Sequence, residues 1–277
     1  MENRKVLFLD MDGTTLDDQK RISEKNLEAL KRAAEHGCEV VIATGRTNTS
    51  AGRVRVSYGL EQIGCRYMIV YNGAAILDCE TGRLLFTKTL PMEYAKALVD
   101  AARREDIYLH TYVEDSVLTE RDDENLTVYL QRTGMKARIV PDLKEAITMS
   151  PYKMLAISVR NPDRLQMFKE NQTAWTKGKV DMYFSSRDYL EMVSEGVSKG
   201  AALRMFCEWM GIPLENSVAA GDESNDLSML KAAGVGCAVA NAQTEVKQTA
   251  DYVTEQDNNH SAIAEIVEKF VLPGMAF

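Results

Sequence analysis

The sequence predicts an α/β protein: a doubly wound, largely parallel sheet with a smaller α+β unit inserted into it. Three observations carry that prediction. Apolar strand-forming runs alternate with helical stretches at both ends of the chain, the pattern left by parallel strands joined through helical crossovers. The middle of the chain abandons that alternation. At 277 residues the chain also exceeds one compact core of ordinary size, so two domains are expected.

Residues 4–9 (RKVLFL) read as a buried strand, and 23–36 as a helix with Ser23 as N-cap, Ile22 as a hydrophobic staple and Gly37 as the stop. CEVVIATGR, from Cys38, is a strand running into a loop, and RYMIVYNGA, from Arg66, repeats that plan. AILDCETGRLLF reads as a hairpin turning at ETG. After residue 199 come a helix at 200–210, SVAAGDE as strand and loop, a helix at 224–233, VGCAVA as a strand, and a helix near 260–270. Between about Thr87 and Leu190 the sequence gives helices at 91–104, 122–132 and 162–171, with short strands (IYLHTYV, YKMLAISV, MYFSS) that suit a largely antiparallel sheet. The expected domains are therefore a parallel-sheet core from 1–87 and 191–277, and an inserted α+β domain at 88–190.

Composition narrows the function classes. A net charge of −8 argues against non-specific binding to nucleic acid, which needs a positive field. No apolar run approaches the roughly 18 residues of a membrane span, and the apolar stretch after MENRK ends at Asp10, too soon for a secretion signal. Five cysteines form no C-x-x-C pair and leave an odd thiol, so reduced cysteines and a cytoplasmic location are expected.

In an open α/β sheet, ligands collect beyond the carboxyl ends of the strands. Four stretches there carry unusual chemistry: Asp10 with Asp12, Thr44-Gly45-Arg46, the helix start at Ser198-Lys199-Gly200, and Gly221-Asp222 through Asn225-Asp226. Asp10 and Asp12 are two apart, so an extended backbone points both to one side, roughly 7 Å from each other. Read alone, Asp12-Gly13 is a turn, TGR ends a strand, and Asp222 or Ser224 caps a helix. Taken together, the four loops need a common explanation. Carboxylate pairs about 4 Å apart would repel by around 4 kcal/mol at an effective dielectric near 20, so a positive group must sit among them. An all-oxygen set of this kind suits Mg²⁺. Thr44 and Gly45 offer a hydroxyl and an unshielded N–H to a phosphate oxygen. Lys199, in the first turn of its helix, stands where the helix dipole disfavours a cation, which points to a nearby anion.

These motifs, DMDGTTL (10–16), ATGR (43–46), GVSKG (196–200) and GDESND (221–226), resemble in order and spacing the haloacid dehalogenase superfamily. Within it the chain is similar to the Cof-type sugar phosphatases, with a Rossmann-like core and an inserted α/β cap of the C2B type. The resemblance implies a Mg²⁺-dependent phosphatase acting on a small-molecule phosphate monoester, with no nucleic-acid or membrane partner. It casts Asp10 as nucleophile and Asp12 as general acid, then base. The Asp10 and Asp222 carboxylates with the Asp12 backbone carbonyl hold Mg²⁺, and Asp226 supports that shell by hydrogen bonding or ligation. Thr44, Gly45, Lys199 and Asn225 hold phosphate oxygens; Asn72, in a loop that matches one near the family's active site, and Arg46 either face substrate or simply belong to turns. Thr15 and the NNHSAIAEI stretch depart mildly from the family pattern. A phosphomutase, or a non-catalytic phospho-ligand sensor, are the alternative readings on the same scaffold.

Overall fold

The computed structural model describes residues 4–273, which group into two compact units: one from the chain's two ends, up to Phe86 and from Ser198 onward, and one spanning Thr87–Val197. The first contains strands β1 (Val6–Leu9), β2 (Glu39–Ala43), β3 (Tyr67–Val70), β4 (Ala75–Asp78) and β5 (Arg83–Thr87) before the insertion. After it come β6 (Ser217–Gly221), β7 (Val235–Ala238) and β8 (Tyr252–Val253). Helices α1 (Glu24–Glu35), α2 (Asn48–Ser57), α3 (Lys199–Met210), α4 (Leu227–Ala232), α5 (Thr244–Thr249) and α6 (Ala262–Ile266) connect them. The sheet order is β8-β7-β6-β1-β2-β3-β4-β5, with β8 through β3 parallel and β4 antiparallel to β3. This is the expected doubly wound architecture.

A parallel sheet covered by helices buries both faces, so its strands are apolar without alternation. All four residues of β1 are buried. Val6 and Phe8 join a core with Tyr67, Ile69 and the α3 residues Leu203 and Phe206. The Phe206 ring meets those of Phe8 and Tyr67 edge-on, at 5.7 and 5.2 Å between centroids. Because β6, β1, β2 and β3 run parallel, their carboxyl ends lie along one edge of the sheet, and the chain leaves that edge at Asp10, Thr44, Tyr71 and Asp222.

The second unit is a six-stranded sheet in the order Val180–Ser186, Tyr189–Ser194, Lys153–Ile157, Tyr108–Val113, Ser116–Thr119, Lys136–Ile139. All its pairings are antiparallel except the last. Helices Met92–Arg104 and Asp163–Thr176 cover one face, and Glu124–Thr133 packs Leu126 and Tyr129 on the other. The boundary expected at residue 190 falls inside the strand Tyr189–Ser194, whose pairing with both neighbours keeps it in this unit.

Several elements differ from the sequence reading, among them three in the first unit. The helix expected at 224–233 is a 3₁₀ turn, Ser224–Asp226, followed by α4, because the Asp226 carboxylate folds back onto the N–H groups of Asp222 and Glu223. The helix near 260–270 is α6 continued by a π turn, Val267–Val271. Its end is closed by Lys5 Nζ, which donates to the Phe270, Val271 and Pro273 carbonyls at 2.9, 2.9 and 2.8 Å. Helix α2 had no sequence signal: it buries only Ser50 and Ala51, so it has no apolar stripe. No helix among the described residues is long and apolar enough to cross a membrane.

Gly200 sets how closely α3 approaches the start of α4: a Cβ there would lie 2.0 Å from the Ser228 carbonyl oxygen. Backbone against backbone has no rotamer by which to yield. Gly200→Ala is expected to cost at least about 2 kcal/mol of unfolding free energy, seen as a lower urea midpoint at unchanged slope.

Candidate active site

The site grows from the carboxyl ends of β1 and β6. Asp10 N–H donates to the Ala220 carbonyl at 3.0 Å, which extends the β1–β6 ladder by one residue and sets Asp10 opposite Gly221, one residue before Asp222. Lys199 opens α3 with Ser198 as N-cap, the Ser198 hydroxyl accepting from Ala201 N–H. Its side chain is entirely buried and donates to Asp10 Oδ1 at 2.5 Å and Asp226 Oδ1 at 2.6 Å. Asp226 Oδ2 accepts the N–H groups of Asp222 and Glu223 at 3.0 and 3.1 Å. Both Asp226 oxygens are thus committed. Asp222 Oδ1 accepts the buried Thr14 hydroxyl at 2.6 Å. Oδ2 of Asp10 and Oδ2 of Asp222 have no hydrogen-bond partner among the described residues.

Asp12 has partners of its own. Arg46 grips it with a fork, Nε to Oδ2 at 2.8 Å and a terminal nitrogen to Oδ1 at 2.6 Å, and Lys20 Nζ adds a third bond to Oδ1 at 2.9 Å. The extended backbone expected to link Asp10 and Asp12 is absent, because β1 ends at Leu9 and residues 11–15 turn. Thr15 N–H and Leu16 N–H both return to the Met11 carbonyl, at 3.2 and 2.8 Å.

Beside these carboxylates lies a neutral wall. Thr44 is buried, and its N–H continues the β2–β3 ladder to the Ile69 carbonyl at 2.9 Å. Gly45 leaves room for the Asn72 amide: a Cβ at Gly45 would stand 2.9 Å from Asn72 Oδ1. Asn72 Oδ1 accepts from Asn225 Nδ2 at 3.1 Å, while Asn72 Nδ2 is buried without a partner. Tyr71 and Asn72 both hold left-handed backbone, φ 53° and 57°, a conformation costing roughly 1–2 kcal/mol per residue and found where function demands it. A buried amide donor left open, on a strained loop, awaits an acceptor.

The charges do not balance within the protein. Asp10, Asp222 and Asp226 bring oxygens within 4.8 Å of one another, against one bonded ammonium, that of Lys199. Burial raises Asp10 well above the ordinary carboxylate range; Lys199 pulls it back in part, and Asp226 and Asp222 push it up again. Burial and then Asp226 lift Asp222 to about 7. Burial disfavours the charge on Lys199, but Asp10 and Asp226 more than reverse that and hold it above the usual lysine range. Asp12 is the opposite case: burial alone would raise it, yet the Arg46 fork, with help from Lys20, holds it down at about 2. An all-oxygen cluster with two uncommitted carboxylate oxygens and a shortage of positive charge fits a hard divalent cation.

The structure thus gathers Asp10, Lys199, Asp222 and Asp226 in one buried group, Thr44, Gly45, Asn72 and Asn225 in a neighbouring one, and binds Arg46 to Asp12 between loops. The Asp12 carboxylate lies outside the acidic group. Sequence reasoning missed Thr14 and Lys20. The hydroxyl after Gly13 was a usable signal for Thr14; Lys20, in the charged run DDQKR, gave none.

Residues 7–267 match the family described as haloacid dehalogenase-like hydrolase. The chain is 30% identical over 268 residues to the 5-amino-6-(5-phospho-D-ribitylamino)uracil phosphatase YcsE of Bacillus subtilis, covering 97% of this chain and 96% of that one. It is 29% identical to the pyridoxal phosphate phosphatase YbhA of Escherichia coli, with 95% and 97% covered. A crystal structure of a haloacid dehalogenase-like hydrolase from Bacteroides thetaiotaomicron superposes with a TM-score of 0.85 at 31% identity, over 96% of this chain and 98% of that one.

The raised carboxyls make a stability prediction. A carboxyl lifted from 3.8 to about 7 on folding stabilises the fold below pH 4, and that contribution is lost as pH rises to about 7, a change of no more than about 4 kcal/mol. In EDTA, Asp222→Asn is therefore expected to gain on the wild type as pH rises from 4 to 7, and Mg²⁺ to stabilise the wild type more than the variant. Chemical denaturation across pH, with and without metal, measures both differences.

Proposed function

The chain belongs to the haloacid dehalogenase-like hydrolases and is a phosphatase of that family; from that premise we propose that it hydrolyses monoesters of small phosphorylated metabolites through a phosphoryl group carried on Asp10. The observation that carries the reading is two carboxylates, two residues apart, in unlike surroundings. Asp10 is buried against Lys199 with one oxygen uncommitted, whereas Asp12 is held apart by Arg46. Such a pair suits two different tasks.

In the first task an Asp10 oxygen attacks phosphorus. The bond from phosphorus to the leaving oxygen breaks, its electron pair stays on that oxygen, and Asp12 supplies the proton. Water then attacks the same phosphorus, Asp12 takes its proton, and Asp10 leaves as a carboxylate, releasing inorganic phosphate. Clamped at about 2, Asp12 is in its basic form at rest; a bound phosphate dianion offers Arg46 a second partner, and the released Asp12 takes from solvent the proton it then supplies. Arg46 is in this way a substrate-binding residue. Thr44, Gly45, Asn72, Asn225 and Lys199 hold the phosphoryl oxygens, the open Asn72 amide among them.

Mg²⁺ is the ion we assign to the acidic group: the Asp10 and Asp222 carboxylates and the Asp12 backbone carbonyl would hold it, and it would offset charge on the phosphoryl oxygens. Asp226, with both oxygens committed, supports that shell rather than ligating. The named substrates of the two relatives, a phosphoribitylaminouracil and pyridoxal phosphate, support a small phosphorylated metabolite as substrate. The five free thiols suit a cytoplasmic enzyme.

Phosphate release from a panel of sugar phosphates, nucleotides, pyridoxal phosphate and 4-nitrophenyl phosphate tests the reading. Asp10→Asn is expected to lower turnover by at least about 10³-fold and Asp12→Asn by about 10²- to 10⁴-fold. EDTA should remove activity and Mg²⁺ restore it. Tight binding of a phosphate ester without phosphate release, or full turnover in Asp10→Asn, would contradict the proposal.

A further inference from the structure

We propose that Lys20 is a positioning residue for Asp12, retaining its carboxylate when Arg46 turns to the substrate; this rests on the proton-transfer role given to Asp12 above. Lys20 and Arg46 reach the same carboxylate from different loops. Arg46 follows β2, beside the Thr44 and Gly45 donors, so a phosphate at those donors competes for it. Lys20 stands on the segment after β1, eight residues beyond Asp12.

That segment is built to present it. Lys20 has left-handed backbone at φ 60°, rare for a residue with a side chain. The conformation is held by Asp17, whose Oδ1 accepts the N–H groups of Gln19 and Arg21 at 2.9 and 2.8 Å and whose carbonyl accepts Lys20 N–H at 2.9 Å. Arg21 Nε closes the turn on Asp17 Oδ2 at 3.1 Å. The neighbouring residue is tied as firmly: Asp18 N–H donates to Asn259 Oδ1 at 3.1 Å, and Asn258 Nδ2 donates to both the Leu16 carbonyl and Asp18 Oδ1 at 3.1 Å. A strained turn, braced on both sides, delivers one ammonium to one carboxylate. An incidental surface pair needs none of that bracing.

The Lys20 side chain is 56% exposed, so the pair is screened and its effect bounded. Lys20→Met is expected to lower kcat about fivefold, near the upper limit for an exposed ion pair, with KM unchanged. Lys20→Arg should restore kcat to within about twofold, since a guanidinium also reaches a carboxylate. In an Asp12→Asn background, Lys20→Met should add no further loss, because residues acting through one another are not additive. Unchanged kcat in Lys20→Met, a loss that Lys20→Arg fails to rescue, or an equal loss in the Asp12→Asn background would each overturn the inference. Full activity of Asp12→Asn alone would instead overturn the proton-transfer role beneath it, and the inference with it.

Discussion

A lysine ammonium sealed from water is the constraint on which this site depends. Lys199 has no solvent exposure, and an uncompensated charge so placed would cost several kcal/mol. It is tolerated because Asp10 and Asp226 both accept from it. Those contacts oblige three distant parts of the chain to meet: the end of β1, the start of α3 and the turn before α4. Gly200 lets α3 come close enough to α4, and the Asp226 carboxylate, fixed by two backbone N–H groups, gives the lysine a rigid second partner.

The same contacts leave the site short of positive charge. One ammonium faces three carboxylates, so Asp10 and Asp222 are both raised by burial and by their neighbours. Crowding of this kind suits the divalent ion and phosphate proposed for the site. Asp12 follows another logic. It is removed from the crowd and supplied with two cations of its own, so that two carboxylates two positions apart acquire opposite properties from opposite surroundings.

Much of this was legible in the sequence because it depends on periodicity and on residue type. Buried parallel strands announce themselves as apolar runs, and the parallel arrangement carries their carboxyl ends to one edge, so Asp10, Thr44 and Asp222 were found without coordinates. Lys199 was flagged by standing against its helix dipole. What escaped notice depends on backbone detail. The turn that follows β1 arises from hydrogen bonds of Thr15 and Leu16 to the Met11 carbonyl. Lys20 becomes relevant only through a left-handed turn that an Asp17 carboxylate organises. The strand Tyr189–Ser194 was divided between domains because its apolar run does not say which sheet it joins.

The central claim is that Asp10, poised between Lys199 and a metal-binding group, takes the phosphoryl group itself. Acid-quenching the protein during turnover of a ³²P-labelled monoester and mapping the label by peptide tests it most directly. The account predicts covalent label on the peptide containing Asp10, formed only with Mg²⁺ present and absent in Asp10→Asn. Steady hydrolysis with no covalent label on that peptide, or with label on another residue, would contradict it.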